Sequence, residues 1–159
     1  MASMSDATAK TWILTGGIEN FRIYVERDFD VIGFKERRVR QAEQFEPGDE
    51  VIFYVTGVQA FGGIARVTTP MFEDREPIWP QGKKKYPEPY PWRVEAEPVE
   101  ILSEDAFVAA ESLVGKLEHI GKWPAEHWQL AFQGQLRTII EKDAKLLRAR
   151  IAKAAKVAA

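Results

Sequence analysis

The sequence predicts an α+β domain with a curled sheet or small barrel as its core, because strand signals cluster in the middle of the chain and helix signals flank them. Two local features anchor that reading. The turn sequence Glu46-Pro47-Gly48-Asp49-Glu50 launches Val51-Ile52-Phe53-Tyr54-Val55, a run apolar enough to be buried on both faces. The next strand, AFGGIARVTT at 60–69, carries Gly62 and Gly63 inside it, as at a bulge or a close approach by another backbone or a ligand.

Taken in order, TWILT at 11–15 reads as an apolar first strand that stops at Gly16-Gly17. IENFRIYVERDF suits a short helix, DVIGF a brief extended piece, and the charged KERRVRQAEQF at 35–45 a second short helix. A further strand begins near Trp92. There Trp92, Val94, Ala96 and Pro98 alternate with Arg93, Glu95 and Glu97, but Val99 and Ile101 fall on the opposite parity, which predicts a kink near Pro98. The preceding stretch, PIWPQGKKKYPEPYPWRV at 77–94, is too proline-rich for regular structure and too long for a simple hairpin loop. From Ser103 a helix is predicted, with Ser103 as its N-cap, Glu104 and Asp105 in its first turn, and Ala106, Ala110, Leu113 and Leu117 at helical spacing. A last long helix is predicted from about Leu136, with Leu136, Ile140, Ala144, Leu147 and Ile151 as its apolar stripe.

A chain of 159 residues with ordinary apolar content suits one globular domain. A domain of that size buries about 70% of its unfolded surface and needs no staple. The expected division is a polar, fraying extension over 1–10, the domain over 11–147, and the basic end of the last helix over 148–159. The absence of cysteine excludes disulfides, thiolate metal sites and cysteine nucleophiles. Neither an export signal nor an apolar run of the roughly 18 residues that span a bilayer is apparent, so a cytoplasmic location without membrane contact is expected. A net charge of −2 argues against indiscriminate coating of nucleic acid, yet leaves room for a local basic patch, because the positive residues are clumped.

Little in the sequence suggests catalysis. His119 and His127 are eight residues apart, with no ligand spacing for zinc, and neither a G-x-S-x-G elbow nor a phosphate-cradling P-loop occurs. No metal, cofactor or enzymatic activity is therefore expected. The run Lys35, Arg37, Arg38 and Arg40 suits phosphate binding, since guanidinium groups match phosphate oxygens, or else a solvated helix face bordered by Glu36 and Glu43. Lys83, Lys84 and Lys85 form a second basic cluster. Beside it Trp79 sits between two prolines, a preorganised ring suited either to stacking on a base or to packing on the domain. Trp92 points inward with Val94 and Ala96, while Trp123 and Trp128, flanking Pro124, suit core or hinge packing.

Several of these pieces occur together in a known family. In TWILT followed by ENF, in VIGF, FEPGDEVIFYV, AFGGIARVTTP, YPEPYPWRVE and the late HWQLAFQG, the chain resembles the EVE domain, a member of the PUA-like superfamily. The likeness is to its small stand-alone bacterial and archaeal members, and extends over most of residues 11 to 147. EVE domains are similar in turn to YTH domains, which read methylated adenine in RNA. The resemblance implies a PUA-like curled β-barrel flanked by helices, with a pocket for a flipped-out, often modified base. Thr15, Asn20, the segment Ile32, Gly33 and Phe34, and Trp79 would line it, with Asn20 bonding a base edge and Trp79 as an aromatic wall. Relatives commonly place Trp where this chain has Ile32, so one side of an aromatic cage is absent and a methyl group would be held by apolar contact.

The expected function is thus a non-catalytic domain that binds RNA or DNA, with phosphates on Lys35, Arg37, Arg38, Arg40 and the lysine triplet and one base in the pocket. The alternative is a small-molecule or protein-interaction module on the same scaffold, to which the acidic overall balance is friendlier.

Overall fold

A computed structural model of the protein describes residues 9–79, 88–132 and 134–158. The strands are β1 (Thr11–Gly16), β2 (Val31–Phe34), β3 (Glu50–Val55), β4 (Ala60–Val67), β5 (Phe72–Glu73), β6 (Trp92–Ile101), β7 (Val108–Ala109) and β8 (Leu136–Ile139). They form a curled mixed sheet in the order β2-β6-β4-β3-β1-β8, with β5 added to β6 and β7 to β4. Only the β1–β3 pairing is parallel among the described strands, and it sets Trp12 opposite Val51. The helices are α1 (Ile18–Glu26), α2 (Val39–Ala42), α3 (Glu118–Gly121) and α4 (Glu141–Ala158), supplemented by 3-10 turns. The α+β class read from the sequence is the one observed: a half-barrel flanked by helices. Among the described residues no helix is long and apolar enough to cross a membrane.

The two core clusters follow from strand alternation. Trp12, Leu14, Val51, Phe53 and Val55 pack on one face with Phe21 and Tyr24 of α1 and with Ile32 and Phe34. Ile13, Ile52, Tyr54, Phe61 and Ile64 face the opposite way, where Leu147 and Ile151 of α4 cover them. This double burial is why the β3 run is apolar at both parities. Its preceding turn has Gly48 at φ +98°, and the fully buried Asp49 carboxylate closes it. That carboxylate accepts from the N–H of Lys10 at 2.9 Å, the N–H of Glu46 at 3.2 Å and the indole Nε1 of Trp12 at 3.0 Å.

Both anticipated irregularities are present. The β3–β4 register skips Gly62, where a Cβ would stand 2.7 Å from the Phe21 ring. The β4–β6 register skips Val99, next to Pro98, and so changes the parity of β6 as its sequence requires. One predicted helix is absent and another starts later than expected. After Ser103 the chain forms a 3-10 turn (Glu104–Ala106), then β7, then another 3-10 turn (Ala110–Leu113), because β7 pairs with the start of β4 and the Ala110 N–H goes to Gln59. Ser103 does not cap; its hydroxyl bonds Asp105. Leu136 belongs to β8 rather than the last helix, which starts at Glu141, because the free edge of β1 recruits residues 136–139.

Candidate functional site

A groove of about 640 Å³ opens where β1 and β3 end. Thr15 and Gly16 come from β1, Thr56 and Gly57 follow β3, and Asn20, Phe21 and Tyr24 come from α1. Gly17, the residue before α1, is extended and makes no side-chain cap, so the first N–H groups of the helix lack intrahelical acceptors. A Cβ at Gly16 or Gly17 would meet nothing within 4 Å, which leaves the backbone open to a ligand.

One part of the groove is neutral and tied into the core. Asn20 Nδ2 donates to the Tyr90 hydroxyl at 3.1 Å, which orients the amide at the groove. The Tyr24 hydroxyl accepts from the Gly33 N–H at 3.3 Å. Burial raises the Tyr24 and Tyr54 phenols above the ordinary tyrosine range, that of Tyr54 to about 12, so these two stay neutral at physiological pH. Trp79 lies against Tyr24 and Tyr90, with ring centroids at 5.5 and 5.4 Å. The buried Glu88 holds that arrangement by accepting from the N–H groups of Ile78, Trp79 and Tyr90 at 2.7, 3.1 and 2.8 Å. Arg93, only 1% exposed, lies 3.6 Å from Glu88, 3.3 Å from Asp74 and over the Trp79 ring.

The other part is cationic. Lys35 and Arg37 line the groove, and no Asp, Glu or His lines it among the described residues. Lys35 is tied by its backbone N–H to the Gln135 side chain at 3.3 Å, and the Thr15 N–H goes to the Gln135 carbonyl at 2.7 Å. Arg38 and Arg137 flank Gly134, which is itself on the groove lining.

The structure sorts the residues singled out from the sequence into three groups. Thr15, Asn20, Lys35 and Arg37 are together on the groove. Ile32, Gly33, Phe34 and Trp79 are not among the lining residues: all four are buried in the core. Trp79 is drawn there by the Glu88 clamp, with its ring pressed on Gly33, where a Cβ would come 2.6 Å from it; it therefore packs rather than presenting a free ring. Arg40 is exposed on α2 away from the lining, and Lys83, Lys84 and Lys85 lie outside the described residues. Trp92 is half-buried, as its strand parity suggests, and Trp128 is buried, whereas Trp123 is 38% exposed. No cluster of three or more potential metal ligands occurs among the described residues. Sequence reasoning missed Tyr24, Tyr90, Gln135 and Arg137. Tyr24 had a detectable signal, its i+3 spacing from Phe21 on one face of α1.

The family model described as the EVE domain matches residues 11–134. A comparison with curated proteins gave no match. Solved structures share the fold at low identity. A Pseudomonas syringae protein aligns with a TM-score of 0.56 at 16% identity, covering 88% of this chain and 99% of its own. Human THYN1, solved with 5-methylcytosine-containing DNA, aligns with a TM-score of 0.56 at 12% identity, covering 89% and 96%. The YTH domain of Zygosaccharomyces rouxii MRB1, solved with N6-methyladenosine RNA, gives a TM-score of 0.59 at 13% identity, covering 91% and 85%.

Proposed function

This chain belongs to the EVE domain family, and from that premise we propose that it binds nucleic acid without catalysing a reaction, seating one unpaired base in the groove. The observation that carries the reading is the composition of the groove lining: among the described residues, aromatic and amide side chains with Lys35 and Arg37 as the charged members and no carboxylate, in a protein whose net charge is −2. Local positive charge against a negative whole favours a polyanion at this groove in particular. The N-terminus of α1, which no side chain caps, adds N–H donors that suit a base carbonyl or a phosphate. Asn20, held by Tyr90, and the neutral phenols supply the hydrogen-bonding groups that a base edge requires. The fold shared with THYN1 and MRB1, each solved on a methylated nucleic acid, supports the same partner class, RNA or DNA.

The test is titration of short single-stranded RNA and DNA across a salt series. Affinity that falls with salt and differs among bases is expected. Flat, salt-insensitive traces would instead favour a small-molecule or protein ligand.

A further inference from the structure

Resting on the reading that the groove binds nucleic acid, we propose that Arg38 and Arg137, converging on Gly134, form the seat for one backbone phosphate of the bound strand. The two side chains arrive from different elements, Arg38 from the end of the 3-10 turn Glu36–Arg38 and Arg137 from β8. A Cβ at Gly134 would stand 3.5 Å from Nη2 of each. Gly134 adopts φ +85°, so this turn suits glycine, and the missing side chain leaves the space between the guanidiniums open.

Like charges in such proximity oppose folding unless something else holds them or an anion joins them. A neutral amide holds Arg38. Gln41 accepts from Arg38 Nη1 at 3.3 Å and donates from Nε2 to the Leu136 carbonyl at 3.1 Å, which ties α2 to β8 irrespective of charge. The Arg38 Nε is buried and has no acceptor, so a donor remains unused within the pair. Burial, then the charge of Arg38, pushes Arg137 below the usual guanidinium range, as expected where two cations share a partly desolvated place. Two planar forks facing one gap fit the several oxygens of a phosphate, which a lysine pair would meet only as point charges. Gly134 lies on the groove lining with Lys35 and Arg37, so a strand whose base enters the groove carries its neighbouring phosphate past this pair.

The test uses the full chain and the double variant Arg38→Gln/Arg137→Gln, titrated with one fluorescein-labelled single-stranded oligonucleotide from about 50 to 200 mM salt. Loss of one phosphate contact is expected to lower the slope of log affinity against log salt by about 1, uniformly across base sequences. Gln41 keeps its own bond to the Leu136 carbonyl in the variant, and a thermal melt in chloride checks that it folds. Should the double variant not fold, Arg137→Lys keeps the charge but not the fork, and is expected to keep the slope while weakening binding several-fold. An unchanged slope and affinity in the double variant, or in the lysine variant where that one is used, would overturn the seat but leave nucleic-acid binding standing. Absence of binding by the wild-type chain at 50 mM salt would overturn both.

Discussion

The two parts of the groove are held by different physics. Around Asn20 and Tyr90 the side chains are neutral, and their positions come from buried hydrogen bonds: Tyr90 is fixed through its N–H to Glu88, and Glu88 also anchors Trp79 behind it. Around Lys35, Arg37, Arg38 and Arg137 the groups are cationic, and the ties there include neutral ones, Lys35 N–H to Gln135 and Gln41 to Leu136. The first part is coupled to stability and the second largely is not. Changes in the neutral part should therefore alter folding and base preference together, whereas changes in the cationic part should alter affinity and its salt dependence alone.

The sharpest way to break that contrast is Glu88→Ala. It leaves Arg93 buried beside Trp79 without its buried carboxylate and strips the acceptor from three N–H groups, so a loss of about 3–5 kcal/mol is expected, read by urea denaturation. Gly33→Ala comes next. Its methyl would meet the Trp79 ring at 2.6 Å and the Tyr90 Cβ at 2.9 Å, and overpacking of this kind costs about 1–3 kcal/mol. Tyr90→Phe removes only the hydroxyl that orients Asn20, so about 0.5–1.5 kcal/mol is expected, with altered base preference and an unchanged salt slope. Arg37→Gln, on an exposed side chain, should leave urea stability within about 0.5 kcal/mol of wild type while lowering the salt slope by about 1. Equal behaviour of the Tyr90 and Arg37 variants in both assays would erase the distinction.

Acidity gives the smallest effect and separates binding from stability again. His119 is half-buried, with Nε2 at 2.6 Å from the Ala131 carbonyl, and burial lowers its pKa in the folded state. A depressed folded pKa means that the unfolded chain takes up the proton first. The His119 contribution is thus present above about pH 6.5 and lost as pH falls through the folded value. Among the described residues the groove lining has no histidine or carboxylate, so affinity should stay level over the interval in which thermal stability declines.

What could be read from the sequence was what local chemistry decides. The parity change after Pro98 required a bulge and one occurs at Val99, while Gly62 marked the close approach of Phe21. Lys35 and Arg37, on the groove lining, were singled out by their basic run, whereas Thr15 and Asn20 came only through the resemblance to the EVE domain. What escaped was decided by partners distant in the chain. Arg93 alternates outward in β6 and would be solvent-facing on its own, yet Asp74 and Glu88 enclose it. Stacking and packing stayed equally open for Trp79 because nothing local marks Glu88, nine residues on within the same proline-rich stretch, as its tether. Leu136 fitted a helical stripe but found an unpaired strand edge, and Arg137 follows it into the cationic part. Nothing local could have announced the pairing of Arg38 with Arg137, which depends on Gly134 turning one against the other.

The most direct measurement is fluorescence anisotropy of the wild-type chain against short single-stranded RNA and DNA, each with and without a methylated base, over a salt series. Saturable binding whose affinity falls as salt rises and differs among the bases is the expected result. Binding absent at low salt, or the same at every salt concentration and for every base, would contradict a groove that joins a neutral base site to a cationic phosphate site.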